Sequence, residues 1–236
     1  MTPTKTDVRP ARSPASAKKT MQLPRSHWLT LLLLLAVGVM ISGFSLAFSG
    51  SEGIIWGGSP VLFFWNTLPI LLLLGLVWLA SGLSWLAVLV TGTLIFLLTG
   101  ANYFKVMFRD DPMVWPDLFR IREGFQMSGQ YDVKLTPLMG VWIAAMIAAA
   151  VLLFFLGKGK PRATVRMLAL TAVGMFSLVC FNYIYPNDQR YTQLAGDYAK
   201  DEGEAYAATG IVYPFFHSAG DYMNSQGNYD ERAARE

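Results

Sequence analysis

The chain has 236 residues, of which 53% are hydrophobic and only 15% charged, with a formal net charge of +3. A soluble domain usually carries roughly 25% charged residues, so this composition excludes an ordinary soluble protein. The apolar residues form continuous runs of about 18 or more, which predict transmembrane helices rather than the alternating strands of a β-barrel.

We therefore predict an all-α polytopic membrane protein with five transmembrane helices and amphipathic helices outside the bilayer. Residues 1–27 are polar and basic and are predicted to be a disordered tail, read as a topology signal rather than a nucleic-acid-binding arm. The first apolar run is longer than the hydrophobic core of a signal peptide, so we treat it as an uncleaved span. The predicted membrane domain covers residues 28–185, with spans at about 28–48, 60–80, 83–101, 138–156 and 167–185.

The distribution of charge predicts the orientation. With the N-terminus inside, the inner segments hold ten Lys or Arg, six in residues 1–27 and four in residues 157–166, against one acid. The remaining nine basic and fifteen acidic residues then lie outside, as the positive-inside rule favours. We predict a multi-pass cell-membrane protein whose N-terminus is cytoplasmic. The loop 102–136 and the tail 186–236 then share the extracellular face.

The outer loop concentrates charged and aromatic residues. We expect the third helix to continue through residues 103–108 and to break at Asp111 and Pro112, because the residue before a proline avoids the α-helical region. Pro116 and Asp117 suit the first turn of a new helix. Leu118, Ile121 and Phe125 recur at helical spacing, which predicts an amphipathic helix at the membrane surface.

Three interpretations of this charge remain open. The basic residues Lys105, Arg109, Arg120 and Arg122 would suit contacts with a phosphate or a lipid headgroup. Alternatively they form ion pairs within the loop, with Arg109 bonded to Asp110, Asp111 or Asp117. A cation site built from those three aspartates is the least favoured, because their spacing fits no standard loop.

The tail predicts a helix over 188–208 and a stop at Gly210. Residues 211–222 are apolar and aromatic, so we expect them to dock on the membrane surface or on the outer helices. His217 is more often a packed histidine than a catalytic one in such a setting. With one cysteine, Cys180, and two histidines far apart in sequence, a metal centre in this chain is not expected.

These features resemble the N-terminal membrane domain of lipoteichoic acid synthase-like proteins, which are phosphoglycerol transferases of the sulfatase and alkaline phosphatase superfamily. The resemblance lies in five spans and in the outer sequence NYFKVMFRDDPMVWPDLFRIRE, where the pattern is Asn102-Tyr103-x-Lys105, Arg109-x-x-Pro112 and Asp117-Leu118. The later sequence GIVYPFFH, residues 210–217, is similar to the family's connection between the last span and the catalytic domain.

The resemblance implies a membrane anchor that presents lipid for cell-wall polymer synthesis. In that family a large extracellular sulfatase-like domain carries a threonine nucleophile and a divalent metal, typically Mn²⁺, and transfers glycerol phosphate from phosphatidylglycerol. No catalytic residue or cofactor of that domain is carried over, so this chain is expected to be inactive without such a domain in cis or in trans. The residues expected to contact a lipid headgroup or that domain are Asn102, Tyr103, Lys105, Arg109, Asp117, Arg120 and Arg122.

Two other classes compete with this interpretation. A stand-alone membrane protein that scaffolds cell-envelope enzymes would have the same spans and no chemistry of its own. A transporter or channel is the weakest alternative, because transport usually requires ionisable groups or broken helices within the membrane. The five predicted spans contain no Asp, Glu, Lys or Arg.

Overall fold

The structure is a computed structural model that describes residues 25–51, 54, 59–120, 122, 134–157, 163–196 and 201–227. Within these residues all regular structure is helical, and five helices are long and apolar enough to cross a membrane, which confirms the all-α polytopic class. Helices satisfy nearly all of their backbone hydrogen bonds internally, as segments surrounded by lipid require. The spanning helices are α1 Arg25–Phe48, α2 Pro60–Ser81, α3 Ser84–Arg109, α4 Pro137–Leu156 and α5 Ala163–Val179, which continues as a π-helical turn, Cys180–Ile184.

Local sequence signals set the ends of these helices. Ser59 and Thr136 accept hydrogen bonds from backbone N–H groups at the starts of α2 and α4, and a proline follows each cap. Gly82 ends α2 with a φ of +71°, a left-handed conformation that glycine adopts without steric cost. The next helix starts at Ser84, so α2 and α3 form the tight helical hairpin that their short connection predicts.

The core lies between α1, α2, α3 and α4. Its largest fully buried side chain is Trp142 on α4, whose ring stacks on Phe44 of α1 with centroids 5.6 Å apart. Ala149 and Ala150 are also buried, so part of the alanine-rich run in α4 faces its neighbours, where small residues allow close helix packing. Helix α5 packs on α2 and leaves most of its own apolar side chains exposed, which suits a peripheral helix in contact with lipid.

Several boundaries differ from the sequence-based ones. Helix α1 begins at Arg25, inside the predicted tail, and α5 begins at Ala163; residues 1–24 lie outside the described part. Helix α3 extends to Arg109, in agreement with its predicted continuation through residues 103–108, because polar side chains are tolerated once a helix leaves the apolar layer. The predicted 188–208 helix is two helices, α6 Asp188–Ala195 and α7 Glu202–Thr209. Gly196, at a φ of +59°, ends the first of them.

The last helix, α8 Val212–Gly227, packs into the bundle itself. Ile211, Val212 and Tyr213 are fully buried, and the first two belong to the same apolar core as the spanning helices. The segment contacts the outer helices α6 and α7, as expected, and it also packs among the spanning helices, which the sequence did not predict. Burial there removes more apolar surface from water. The chain after α5 thus folds back over one end of the bundle. That end, which we call the capped end, is where Phe48, Pro60, Arg109, Pro137 and Ile184 lie.

Candidate functional site

A sharp elbow joins α3 to a 3₁₀ helix, Trp115–Arg120, at the capped end. Asp110 ends α3 with a φ of +53°, and its backbone N–H donates to the carbonyl of Val106. The chain then returns alongside the last turns of α3. The predicted break at this point is confirmed. The new helix is a short 3₁₀ helix, and Ile121 and Phe125 lie outside the described residues.

Lys105 is the centre of the elbow. Its ammonium lies 2.7 Å from the carbonyl oxygen of Pro112, 2.7 Å from Asp111 Oδ2 and 2.8 Å from Asp117 Oδ2, and its side chain is only 14% exposed. Asp117 Oδ2 also accepts a hydrogen bond from the backbone N–H of Val114. All three donors of the ammonium therefore face oxygen atoms of the returning chain, as satisfying a half-buried charge requires.

Asn102 and Tyr103 complete the elbow from the same helix. Asn102 is 4% exposed, and its Oδ1 accepts a hydrogen bond of 2.8 Å from the N–H of Met113. The ring of Tyr103 packs edge-on against Phe48 of α1, with centroids 5.5 Å apart. Asn102 therefore holds the backbone of the elbow through its amide oxygen, and Tyr103 packs against the bundle through its ring.

The basic residues of the predicted site thus divide into two sets. Lys105 is bonded internally, whereas Arg109, Arg120 and Arg122 are exposed and form no ion pair with the described residues. The proposed pairing of Arg109 with nearby aspartates is not observed. Lys105 forms the ion pairs with these aspartates instead. The returning chain lies beside the turn of α3 that contains residues 102–105, so it does not reach Arg109 at the end of the helix. The Lys105 ammonium also lies between Asp111 and Asp117 and therefore occupies the position that a cation bound by these aspartates would need.

The 3₁₀ helix contacts α8. The N–H of Trp115 donates to Ser218 Oγ at 3.0 Å, and the Trp115 ring lies 5.5 Å from the ring of Phe215. Further along, Phe119 stacks on Tyr222 with centroids 5.5 Å apart. The elbow and the last helix therefore meet through a hydrogen bond and two aromatic contacts at the capped end.

A buried asparagine on α2 anchors the returning tail, and sequence reasoning missed it. Asn66 is 1% exposed; its amide N–H groups donate to the carbonyls of Leu62 and Thr209, and its Oδ1 accepts from the N–H of Tyr213. Gly210 passes so close that an added Cβ would lie 2.7 Å from Asn66 Oδ1, and its φ is +87°. The only signal in the sequence was a single amide in an apolar run.

His217 on α8 lies between two carboxylates. Its Nε2 is 3.2 Å from Asp188 Oδ1 on α6 and its Nδ1 is 3.4 Å from Asp221 Oδ2, while its ring stacks on Tyr191 at 4.1 Å. Burial raises the pKa of Asp221; His217 opposes that rise and Asp188 adds to it. The histidine side chain is 9% exposed, in agreement with its predicted packed position.

Burial also acts on two tyrosines beside Asn66 and the tail. It raises the pKa of Tyr213 to about 12, with Arg190 opposing the rise. It also raises the pKa of Tyr185, where Cys180 and Tyr213 add to the rise. The hydroxyl of Tyr185 donates to the carbonyl of Trp65 at 2.8 Å. Both phenols are therefore neutral at physiological pH.

No family model, curated protein or solved structure matches this chain. The five apolar helices establish a multi-pass membrane protein, and the geometry of the capped end is the basis for any functional assignment.

Proposed function

We propose that this chain is the membrane-anchoring and lipid-positioning domain of a lipoteichoic acid synthase-like phosphoglycerol transferase, and that it is inactive by itself. The observation that carries the proposal is the division of charge at the elbow. Lys105 is used internally to fix the backbone, which leaves Arg109 and Arg120 exposed on either side of the elbow. Guanidinium groups on a fixed backbone suit the phosphate of an anionic lipid, because they donate paired hydrogen bonds to its oxygens.

The docking of the tail supports the anchoring role. Asn66 bonds the backbone on both sides of Gly210, and Ser218 bonds the 3₁₀ helix. A catalytic domain that continues from α8, or binds to it, would be held at a constant position relative to the elbow. Such a fixed placement suits an enzyme that takes its substrate from the membrane surface, since positioning reduces the entropy cost of the reaction.

Lipid retention tests the headgroup contact. The protein is reconstituted in nanodiscs containing equal amounts of phosphatidylglycerol and phosphatidylcholine, re-extracted, and its bound lipids are counted by native mass spectrometry. We expect phosphatidylglycerol to be enriched on the wild type and lost from the Arg109→Ala/Arg120→Ala variant. The matched control is Arg190→Ala at the same end, because its guanidinium already lies 5.1 Å from the ring centre of Trp65.

Equal lipid content in all three proteins would refute the headgroup contact and favour a scaffold without lipid selectivity. A second measurement concerns the anchoring role. The chain is incubated with phosphatidylglycerol and Mn²⁺, and release of diacylglycerol is followed. We expect no turnover until a sulfatase-like catalytic domain is added, and turnover by the chain alone would overturn the assignment.

A further inference from the structure

The Asp188, His217 and Asp221 cluster joins two helices that are distant in sequence. Asp188 opens α6 just after the fifth span, whereas His217 and Asp221 are one turn apart on α8. One ligand atom from each side chain can be chosen so that all three atoms lie within 4.8 Å of one another. An imidazole nitrogen with two carboxylate oxygens is a donor set that first-row divalent metal ions bind.

The buried nitrogen of His217 has no hydrogen-bond partner among the described residues. Its Nε2 is inaccessible to solvent, and although Asp188 Oδ1 is 3.2 Å away, that oxygen is not placed as a hydrogen-bond partner. Two ligands of one zinc ion, each bound at about 2.0–2.2 Å, lie roughly 3.2–3.4 Å apart. The spacing of the two atoms therefore matches neighbouring ligands of a metal ion.

The other ring nitrogen has the arrangement that metal-binding histidines commonly show. Nδ1 faces Asp221 Oδ2 at 3.4 Å, and the stacked Tyr191 ring fixes the plane of the imidazole. A carboxylate on the second nitrogen selects the tautomer whose Nε2 lone pair is free for a metal. The cluster also carries excess negative charge, because no Lys or Arg of the described residues pairs with either aspartate.

We propose that Asp188, His217 and Asp221 form a site for a divalent transition-metal ion of the Zn²⁺ class, which fastens α6 to α8. Nε2 of His217 and the carboxylate of Asp188 are the direct ligands. Asp221 orients the ring or adds a third ligand, and water completes the coordination on the exposed side of Asp188. The bound ion holds the start and the end of the returning tail together. This proposal is independent of the lipid contact at the elbow.

The test is a Zn²⁺ titration of tag-free protein in detergent after removal of metal with a chelator. Isothermal calorimetry is expected to show saturable binding of one ion per chain, and Zn²⁺ is expected to raise the unfolding temperature. The decisive variant is Asp188→Asn, whose side chain is 81% exposed and therefore not needed for folding. Asp110→Asn is the matched control, because Asp110 is an exposed acid at the same end and asparagine also tolerates its positive φ.

We expect Asp188→Asn to abolish the calorimetric signal and Asp221→Asn to weaken binding roughly 10- to 100-fold. The control should bind like the wild type, and all proteins should unfold alike in chelator. The proposal is overturned if the wild type shows no saturable binding, which would make the cluster only an ion pair. It is also overturned if Asp188→Asn binds as tightly as the control, or if excess Mg²⁺ displaces Zn²⁺.

Discussion

The replacement Asn66→Ala should release the tail from the bundle while leaving the five spanning helices folded. Asn66 is buried at the start of α2, and two of its three hydrogen bonds reach the tail, to the carbonyl of Thr209 and the N–H of Tyr213. Alanine favours the helix, so α2 itself is not weakened. The substitution acts on the contact between α2 and the tail.

The size of the effect follows from the groups left behind. The Thr209 carbonyl and the Tyr213 N–H both become buried groups without a partner, and each such loss costs about 1–3 kcal/mol. Water entering the space left by the side chain recovers part of this cost. A net loss of about 2–4 kcal/mol corresponds to a roughly 30- to 1,000-fold increase in the open population of residues 210–220, at 1.4 kcal/mol for each tenfold change.

Hydrogen–deuterium exchange in detergent measures this opening directly. Peptides covering 210–220 should lose protection by that factor, whereas peptides from the interior of α3 should keep theirs. The control is Asn182→Ala, because Asn182 also lies in an apolar run and also donates to the carbonyl four residues earlier, but it is exposed and bonds no other element among the described residues. Equal exchange of residues 210–220 in both variants would refute the role of Asn66 as the anchor of the tail.

Three further predictions concern the same end of the bundle. Gly210→Ala should open the tail by about 1–3 kcal/mol, because its φ of +87° and ψ of 179° suit glycine alone, while Gly100→Ala in α3 should be harmless. Chymotryptic cleavage at the aromatic residues within 201–227 compares the two variants. Lys105→Met should speed amide exchange in residues 111–118 by removing charged hydrogen bonds worth about 1.5–3 kcal/mol each, whereas Arg109→Met should not, and equal exchange in both would contradict the elbow's structure. The raised pKa of Tyr213 means that its neutral form stabilises docking fully below its ordinary value near 10, and that this stability is lost as the pH rises towards about 12. Tyr213→Phe should abolish that loss, measured as the pH dependence of thermal unfolding.

The positions of the spans could be predicted from the sequence because they depend on hydropathy averaged over many residues. An apolar run without charges has few alternatives to a membrane helix, and Gly82 and the residues around Ser59 mark its ends through local chemistry. The break inside 188–208 was missed because the apolar spacing continues across it. Periodicity detects a common face but not the single residue, Gly196, at which the chain leaves the helix.

The candidate site was harder to predict because residue type does not reveal the bonding partner. Asn66 and Asn182 are both single amides in apolar runs, yet one anchors the tail and the other bonds only its own helix. Lys105 and Arg109 are both cations at the end of α3, and only the direction of the returning chain decides which of them is enclosed. Each distinction depends on a distance between elements, and one sequence contains no such distances.

Three polar side chains that hold the elbow and the tail at the capped end all bond backbone groups. Asn102 bonds the N–H of Met113, Asn66 bonds the backbone around Gly210, and Ser218 bonds the N–H of Trp115. Because these side chains hold backbone groups, the path of the returning chain is fixed at three points. Arg109 and Arg120 stay exposed beside this fixed backbone, and Asp188 and Asp221 lie beside His217. The fold therefore specifies where these charged groups lie, and the lipid and Zn²⁺ experiments described above test what they bind.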